Sequence, residues 1–160
     1  MLYYLSLIPF ILLFAATLIV LTDYNVLFTI IWITLYLIVN IFQAGCCVGC
    51  PYRGKYCPAF VGVYFGNILS RIIYPKRPFN KKFFERNAAG GEIFLTIFLL
   101  FPLYWHFLKS PWNVLVYFIL LLLHIILFMP LQCSKCSYSD TCPGGQAYLH
   151  WCNLFRKGKQ

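Results

Sequence analysis

Acidic residues are scarce in this sequence: it has only four Asp and Glu residues among 160, and none lies within its four longest apolar runs. Intramembrane carboxylates usually carry the proton or cation in pumps and transporters, so their absence argues against an ion-coupled transporter. The sequence also lacks a Walker loop, a G-x-G-x-x-G motif, an HExxH motif and a Ser–His–Asp constellation. We therefore expect an accessory subunit rather than a free-standing enzyme, with any chemistry supplied by a bound group.

Apolar residues dominate the chain. Hydrophobic residues make up 61% of it and charged residues only 11%, a composition typical of a membrane protein. A helix needs about 20 apolar residues to cross about 30 Å of hydrocarbon. Four runs approach or reach this length. The third run is short unless Ala88–Glu92 extends it, and Glu92 marks its start. The predicted spans are Leu2–Leu21, Val26–Gly45, Ile93–Leu108 and Trp112–Leu131.

The distribution of positive charge predicts the orientation. Two very short connections, Thr22–Asn25 and Lys109–Pro111, would join the spans into two hairpins. The N-terminus, residues 46–92 and the tail after Leu131 then share one membrane face, which carries every one of the thirteen Lys and Arg residues except Lys109. The positive-inside rule makes this face cytoplasmic. The net charge of +9 therefore indicates topology and attraction to anionic lipid, not binding to nucleic acid.

All eight cysteines lie on this predicted face, in two similar motifs. A C-x2-C-x6-C-P motif occupies residues 47–58 and a C-x2-C-x5-C-P motif occupies residues 133–143, so a hairpin followed by a cysteine motif occurs twice as a pseudo-repeat. Each motif has one further cysteine nearby. Because tetrahedral metal sites take four ligands, we expect two thiolate sites. The predicted ligand sets are Cys46, Cys47, Cys50 and Cys57, and Cys133, Cys136, Cys142 and Cys152.

The predicted compartment and the residues beside the cysteines indicate which metal is bound. The cytoplasm keeps thiols reduced, so dense cysteines on that face favour metal over disulfides. Prolines after Cys50, Cys57 and Cys142, with nearby glycines, favour two iron–sulfur clusters of the 4Fe-4S type. Two structural zinc ions are the alternative, because four-thiolate zinc sites also use C-x2-C pairs. A third hypothesis is a thiol–disulfide protein that uses the adjacent Cys46 and Cys47, and the opposite orientation would favour a disulfide framework.

The three histidines are weaker candidates. His150 could replace one cysteine as a metal ligand or donate a hydrogen bond to a sulfur. His106 and His124 lie within predicted spans, where a histidine invites a haem interpretation. At 1.5 Å per residue they would differ in depth by about 13 Å, which argues against one haem shared between them.

The segment between the hairpins, residues 59–92, has an apolar part and a basic part. Ala59–Tyr74 is too short to cross and return, so we expect an interfacial or re-entrant helix. Pro75 and Pro78 then predict a basic loop through Asn87. Its basic and aromatic residues suit lipid headgroups, and the same charges could dock an acidic electron carrier. The predicted lipid-binding or partner-binding residues are Arg71, Lys76, Arg77, Lys81, Lys82 and Arg86.

The sequence thus predicts an all-α integral membrane protein with four transmembrane helices in two hairpins, residues 1–58 and 93–160, separated by residues 59–92. A cysteine-rich cap on the cytoplasmic side would hold the metal. The favoured function is electron transfer at the cytoplasmic face of the cell membrane, as a small subunit of a larger redox complex that exchanges electrons with quinone or an acidic carrier. The alternative is a structural or assembly subunit stapled by two zinc ions.

Overall fold

The computed structural model describes residues 5, 7–50, 53, 65–132, 136, 139–140 and 143–157, and within this part every regular element is a helix. The helices are α1 (Leu7–Tyr24), α2 (Val26–Cys46), α3 (Gly66–Ile73), α4 (Lys81–Leu100), α5 (Leu103–Lys109), α6 (Pro111–Gln132) and α7 (Pro143–Lys157). Four stretches are long and apolar enough to cross a membrane: Leu7–Tyr24, Val26–Cys46, Lys81–Lys109 and Pro111–Phe128. The prediction of an all-α chain with four helices of membrane-spanning length is therefore confirmed.

Single residues connect the long helices of each hairpin: Asn25 joins α1 to α2, and Ser110 joins α5 to α6. The Asn25 side chain caps α2 by accepting a hydrogen bond from a backbone N–H of its first turn at 2.8 Å. Asp23 and Lys109 form an ion pair, which places both connections at the same end of the bundle. The C-terminus of α2 and the N-terminus of α4 lie at the opposite end, which we call the cysteine end because α2 reaches Cys46 there.

A break at Pro102 divides the third spanning stretch into α4 and α5. Proline has no N–H, so the carbonyl four residues earlier, on Phe98, lacks its usual helical donor. The buried Trp32 of α2 supplies the bond, since its indole N–H donates to the Phe98 oxygen at 3.0 Å. The Tyr117 hydroxyl of α6 likewise donates to the Leu99 carbonyl at 2.8 Å. These side chains make the break compatible with a membrane interior, where an unsatisfied carbonyl is costly.

The main apolar core lies between α1, α2 and α4. It is formed by the buried side chains of Leu21, Trp32, Val39 and Phe98. The rings of Trp32 and Phe98 stack with their centroids 4.8 Å apart. A small residue lets α2 and α4 approach closely, because a Cβ on Gly90 would lie 2.4 Å from the ring of Phe42. Many other large apolar side chains of the spanning helices face outward, as contact with lipid requires.

The third spanning helix begins earlier than the sequence predicted. α4 starts at Lys81 rather than near Glu92, and the side chain of Asn80 caps it by accepting a backbone N–H at 3.2 Å. The prediction of a basic loop through Asn87 is therefore wrong beyond Asn80. The two prolines exclude helix only as far as the cap, and the Lys, Phe, Glu, Arg and Ala residues that follow support a helix once it has been capped.

A short helix, α3, packs on α2 at the cysteine end. Gly66 lies so close to α2 that a Cβ there would be 2.9 Å from the backbone nitrogen of Ala44. The fully buried Asn40 of α2 accepts the Phe65 N–H at 2.8 Å, just before α3 begins. The helix expected over residues 59–74 is thus observed from Gly66 to Ile73, while residues 59–64 lie outside the described part. Its position relative to lipid stays a prediction.

Candidate metal centre

Two of the predicted ligands lie where α2 stops. Cys46 is the last residue of the helix and Cys47 is its C-cap, with φ −80° and ψ −3° and its N–H bonded to the Gln43 carbonyl at 3.0 Å. The helix end is pressed against α4, because a Cβ on Gly45 would lie 2.1 Å from the side-chain oxygen of Asn87. The first cysteine motif therefore begins on a rigid helix end in the interior of the protein, and Cys47 itself is buried.

Cys47 and Cys50 are the two ends of one tight turn. The Cys50 N–H donates to the Cys47 carbonyl at 3.2 Å, and Gly49 between them has φ +84°. A bond from the fourth residue to the first, with a positive φ at the third, is the pattern of a type II turn, which brings the outer Cα atoms within about 7 Å. Such a turn lets two sulfurs converge on one metal ion. Gly49 is also required by space, since a Cβ there would lie 2.6 Å from the Cβ of Phe79.

Cys46, the cysteine next to this turn, contacts α4. Its thiol lies 4.0 Å from the backbone oxygen of Phe84 on α4, as a donor. Adjacent residues of a helix point in different directions, and this contact places the Cys46 thiol against the neighbouring helix.

Arg53 anchors the chain beyond the turn. Its backbone N–H donates to the Cys50 carbonyl at 3.0 Å, which makes a second turn directly after the first. Its guanidinium group donates to the Ser70 carbonyl at 2.8 Å and to the Tyr74 carbonyl, at the C-terminal end of α3. Arg53 is the one arginine within the first cysteine motif, but nothing in the sequence assigns it this role. Only the fold shows that it bonds to a helix about twenty residues further along the chain.

The second motif shows a matching local turn. The Ser139 N–H donates to the Cys136 carbonyl at 3.2 Å, as the Arg53 N–H does to Cys50 in the first motif. This turn packs on the start of α7, because a Cβ on Gly145 would lie 2.1 Å from the Ser139 oxygen. Cys152 is half-buried on α7, whereas His150 is exposed there. The pseudo-repeat itself stays a prediction, since the two motifs are compared at one turn only.

The complete ligand sets are not observed. Among the side chains that the structure describes, no three His, Cys, Asp or Glu residues lie close enough to hold a metal ion. Cys57, Cys133 and Cys142 are outside this part of the chain. What is observed is the Cys47–Cys50 turn, and the grouping of the eight cysteines into two sets of four stays a prediction.

A positively charged surface lies beside the first motif. All six of the predicted lipid-binding or partner-binding residues are exposed there: Arg71, Lys76, Arg77, Lys81, Lys82 and Arg86. The guanidinium carbon of Arg77 lies 3.6 Å from the centre of the Phe83 ring, a cation–π contact that holds it against α4. Glu85 offsets part of the charge through an exposed ion pair with Lys81 at 3.9 Å. We call these six residues the basic surface.

The two histidines of the candidate spans have separate surroundings. His106 on α5 is buried, with Nε2 3.3 Å from the Thr17 hydroxyl of α1 and its ring 5.0 Å from that of Tyr117. His124 on α6 is buried with its ring 5.2 Å from that of Phe10. A structural role between helices accounts for the contacts of His106, and it was not visible in the sequence because Thr17 is 89 residues away.

No protein-family model matches this chain, and neither the curated proteins nor the solved structures compared with it provide a match.

Proposed function

We propose that this protein is an integral membrane metal protein that transfers single electrons at one membrane face, as a small subunit of a larger redox complex. Two thiolate-bound centres, preferably 4Fe-4S clusters, would be held by the cysteine motifs. The observation that carries the proposal is the Cys47–Cys50 turn, in which Gly49 takes the positive φ that brings two cysteines together at a helix end.

The protein residues would supply binding and positioning. The packing of α2 on α4 fixes the helix end that carries Cys47. The first pair of ligands would therefore lose little conformational entropy when it binds the metal. Backbone N–H groups near a cluster tune its potential, and a turn built around glycine lets such groups approach sulfur. The bound cluster would supply the one-electron chemistry.

The basic surface would serve the partners. Its exposed cations lie at the cysteine end, next to the first motif, and are suited to anionic lipid headgroups or to an acidic electron carrier. The positive-inside rule favours the cytoplasmic face of the cell membrane for this end. Electrons would then pass between a carrier or quinone and the other subunits of the complex.

Redox spectroscopy on anaerobically purified protein tests the proposal. We expect a brown protein whose visible absorption bleaches with dithionite and returns when a quinone analogue is added. Cys50→Ser should remove about half of this absorption by deleting one ligand of one centre, whereas Lys82→Gln, an exposed change at the same end, should leave it intact. A colourless protein that contains zinc would contradict electron transfer and support the zinc-stapled scaffold, because zinc has no redox chemistry. A metal-free protein whose adjacent Cys46 and Cys47 exchange disulfides would support the thiol–disulfide hypothesis.

A further inference from the structure

Arg53 is a cation held inside the protein beside the Cys47–Cys50 turn. It is half-buried, and its guanidinium group donates to the Ser70 carbonyl at 2.8 Å and to the Tyr74 carbonyl. Within the described part of the chain, the Nε atom of the same group is buried and has no hydrogen-bond partner. Its backbone N–H is bonded to the Cys50 carbonyl at 3.0 Å, so the residue lies one turn from a predicted ligand.

No Asp or Glu side chain neutralises Arg53. The chain has four acidic residues and the structure describes all of them: Asp23, Glu85, Glu92 and Asp140. Asp23 is paired with Lys109 at the opposite end of the bundle, and Glu85 is paired with Lys81. Glu92 and Asp140 are exposed, and neither forms an ion pair with Arg53.

A half-buried cation without a counter-charge is unfavourable, because burial removes water that carbonyl dipoles replace only in part. The cysteines of the first motif provide the missing anion once they bind a metal. Four thiolates around one zinc ion carry a net charge of about −2, and the same thiolates around an oxidised 4Fe-4S core carry about −2 as well. The negative charge available to pair with Arg53 is therefore the same for either metal.

We propose that Arg53 is the counter-cation of the first thiolate centre, the one that contains Cys47 and Cys50, and that it strengthens metal binding there through its charge. This inference rests on the proposed metal site. Arg53 is a positioning residue in this account, since it acts on the metal through the electrostatics of the thiolates. In the second motif the corresponding position, three residues after the second cysteine of the C-x2-C pair, is occupied by the neutral Ser139, which makes the same backbone turn.

The test is a chelator competition on the full-length purified protein, in which the release of the bound metal is measured. Cys50→Ser identifies the part of the release curve that belongs to the first centre. In Arg53→Gln, which keeps a hydrogen-bond donor and loses the charge, we expect that part to shift to about tenfold lower chelator concentration, while the other part stays in place. Arg53→Lys loses the forked geometry of the guanidinium group but keeps the charge, so it should stay within about threefold of the wild type. Glu85→Gln, which removes an exposed charge at the same end, should change neither part.

Three results would overturn the inference. If Arg53→Gln releases metal like the wild type, the charge of Arg53 does not act on the centre. If Arg53→Lys is impaired as strongly as Arg53→Gln, the residue acts through the geometry of its bonds to α3 and not through its charge. If the wild-type protein binds no metal, the proposed function fails and this inference fails with it, whereas either of the first two results leaves the proposed function standing.

Discussion

Replacing Gly49 with alanine should weaken metal binding at the first motif without unfolding the helices. Gly49 has φ +84°, and an L-residue in the left-handed region costs about 1–2 kcal/mol. The new Cβ would also lie 2.6 Å from the Cβ of Phe79, a distance that requires the segment before α4 to shift. The metal-free loop can relax to avoid both costs, whereas a turn that holds two metal ligands cannot. We therefore expect the metal affinity of the first centre to fall by about tenfold or more.

Two further variants separate the causes. Gly49→Asn places the same Cβ near Phe79 but tolerates a positive φ better than alanine, so the difference between the two variants measures the conformational cost. Gly91→Ala is the matched control, because a Cβ there would make an ordinary contact of 3.5 Å with Phe42. Metal affinity is measured by chelator competition, and helix content by circular dichroism. If Gly49→Ala binds metal as tightly as Gly91→Ala, the Cys47–Cys50 turn is not the metal-binding element.

Two other predictions concern the membrane-spanning helices. Trp32→Phe should lower the free energy of unfolding by about 1–3 kcal/mol, because it leaves the Phe98 carbonyl without a donor. The loss should be smaller in a Pro102→Ala background, where a backbone N–H can replace the indole. Equal losses in the two backgrounds, measured by unfolding in detergent, would refute this role of Pro102. Asp23→Asn should lower the free energy of unfolding by at most about 1 kcal/mol, because the ion pair with Lys109 is exposed. A loss of several kcal/mol in the same assay would show that this pair holds the two hairpins together.

The spanning helices could be predicted from the sequence because apolar runs of sufficient length have few alternatives. The start of the third helix could not, since the basic residues after Asn80 resemble a surface loop and only the cap identifies a helix. The bond from Trp32 to Phe98 could not be predicted either, because the donor comes from a different helix 66 residues away in sequence.

The candidate site shows the same division between local and long-range information. A C-x2-C pair with a glycine between its cysteines is typical of a tight turn, and the structure shows such a turn between Cys47 and Cys50. The anchoring of Arg53 to α3 and the contact of Cys46 with Phe84 depend on how the helices pack, which spacing along the chain does not reveal. The grouping of the cysteines into metal sites likewise depends on how the two motifs are placed in space, so it remains for experiment.

The central claim, that the cysteine motifs hold two metal centres, is tested most directly by measuring iron, zinc and acid-labile sulfide in anaerobically purified protein. The account predicts about eight iron and eight sulfide per chain, falling by about half in Cys50→Ser and in Cys136→Ser. About two zinc ions without sulfide would replace electron transfer with a structural role. No bound metal in the wild-type protein would contradict the account.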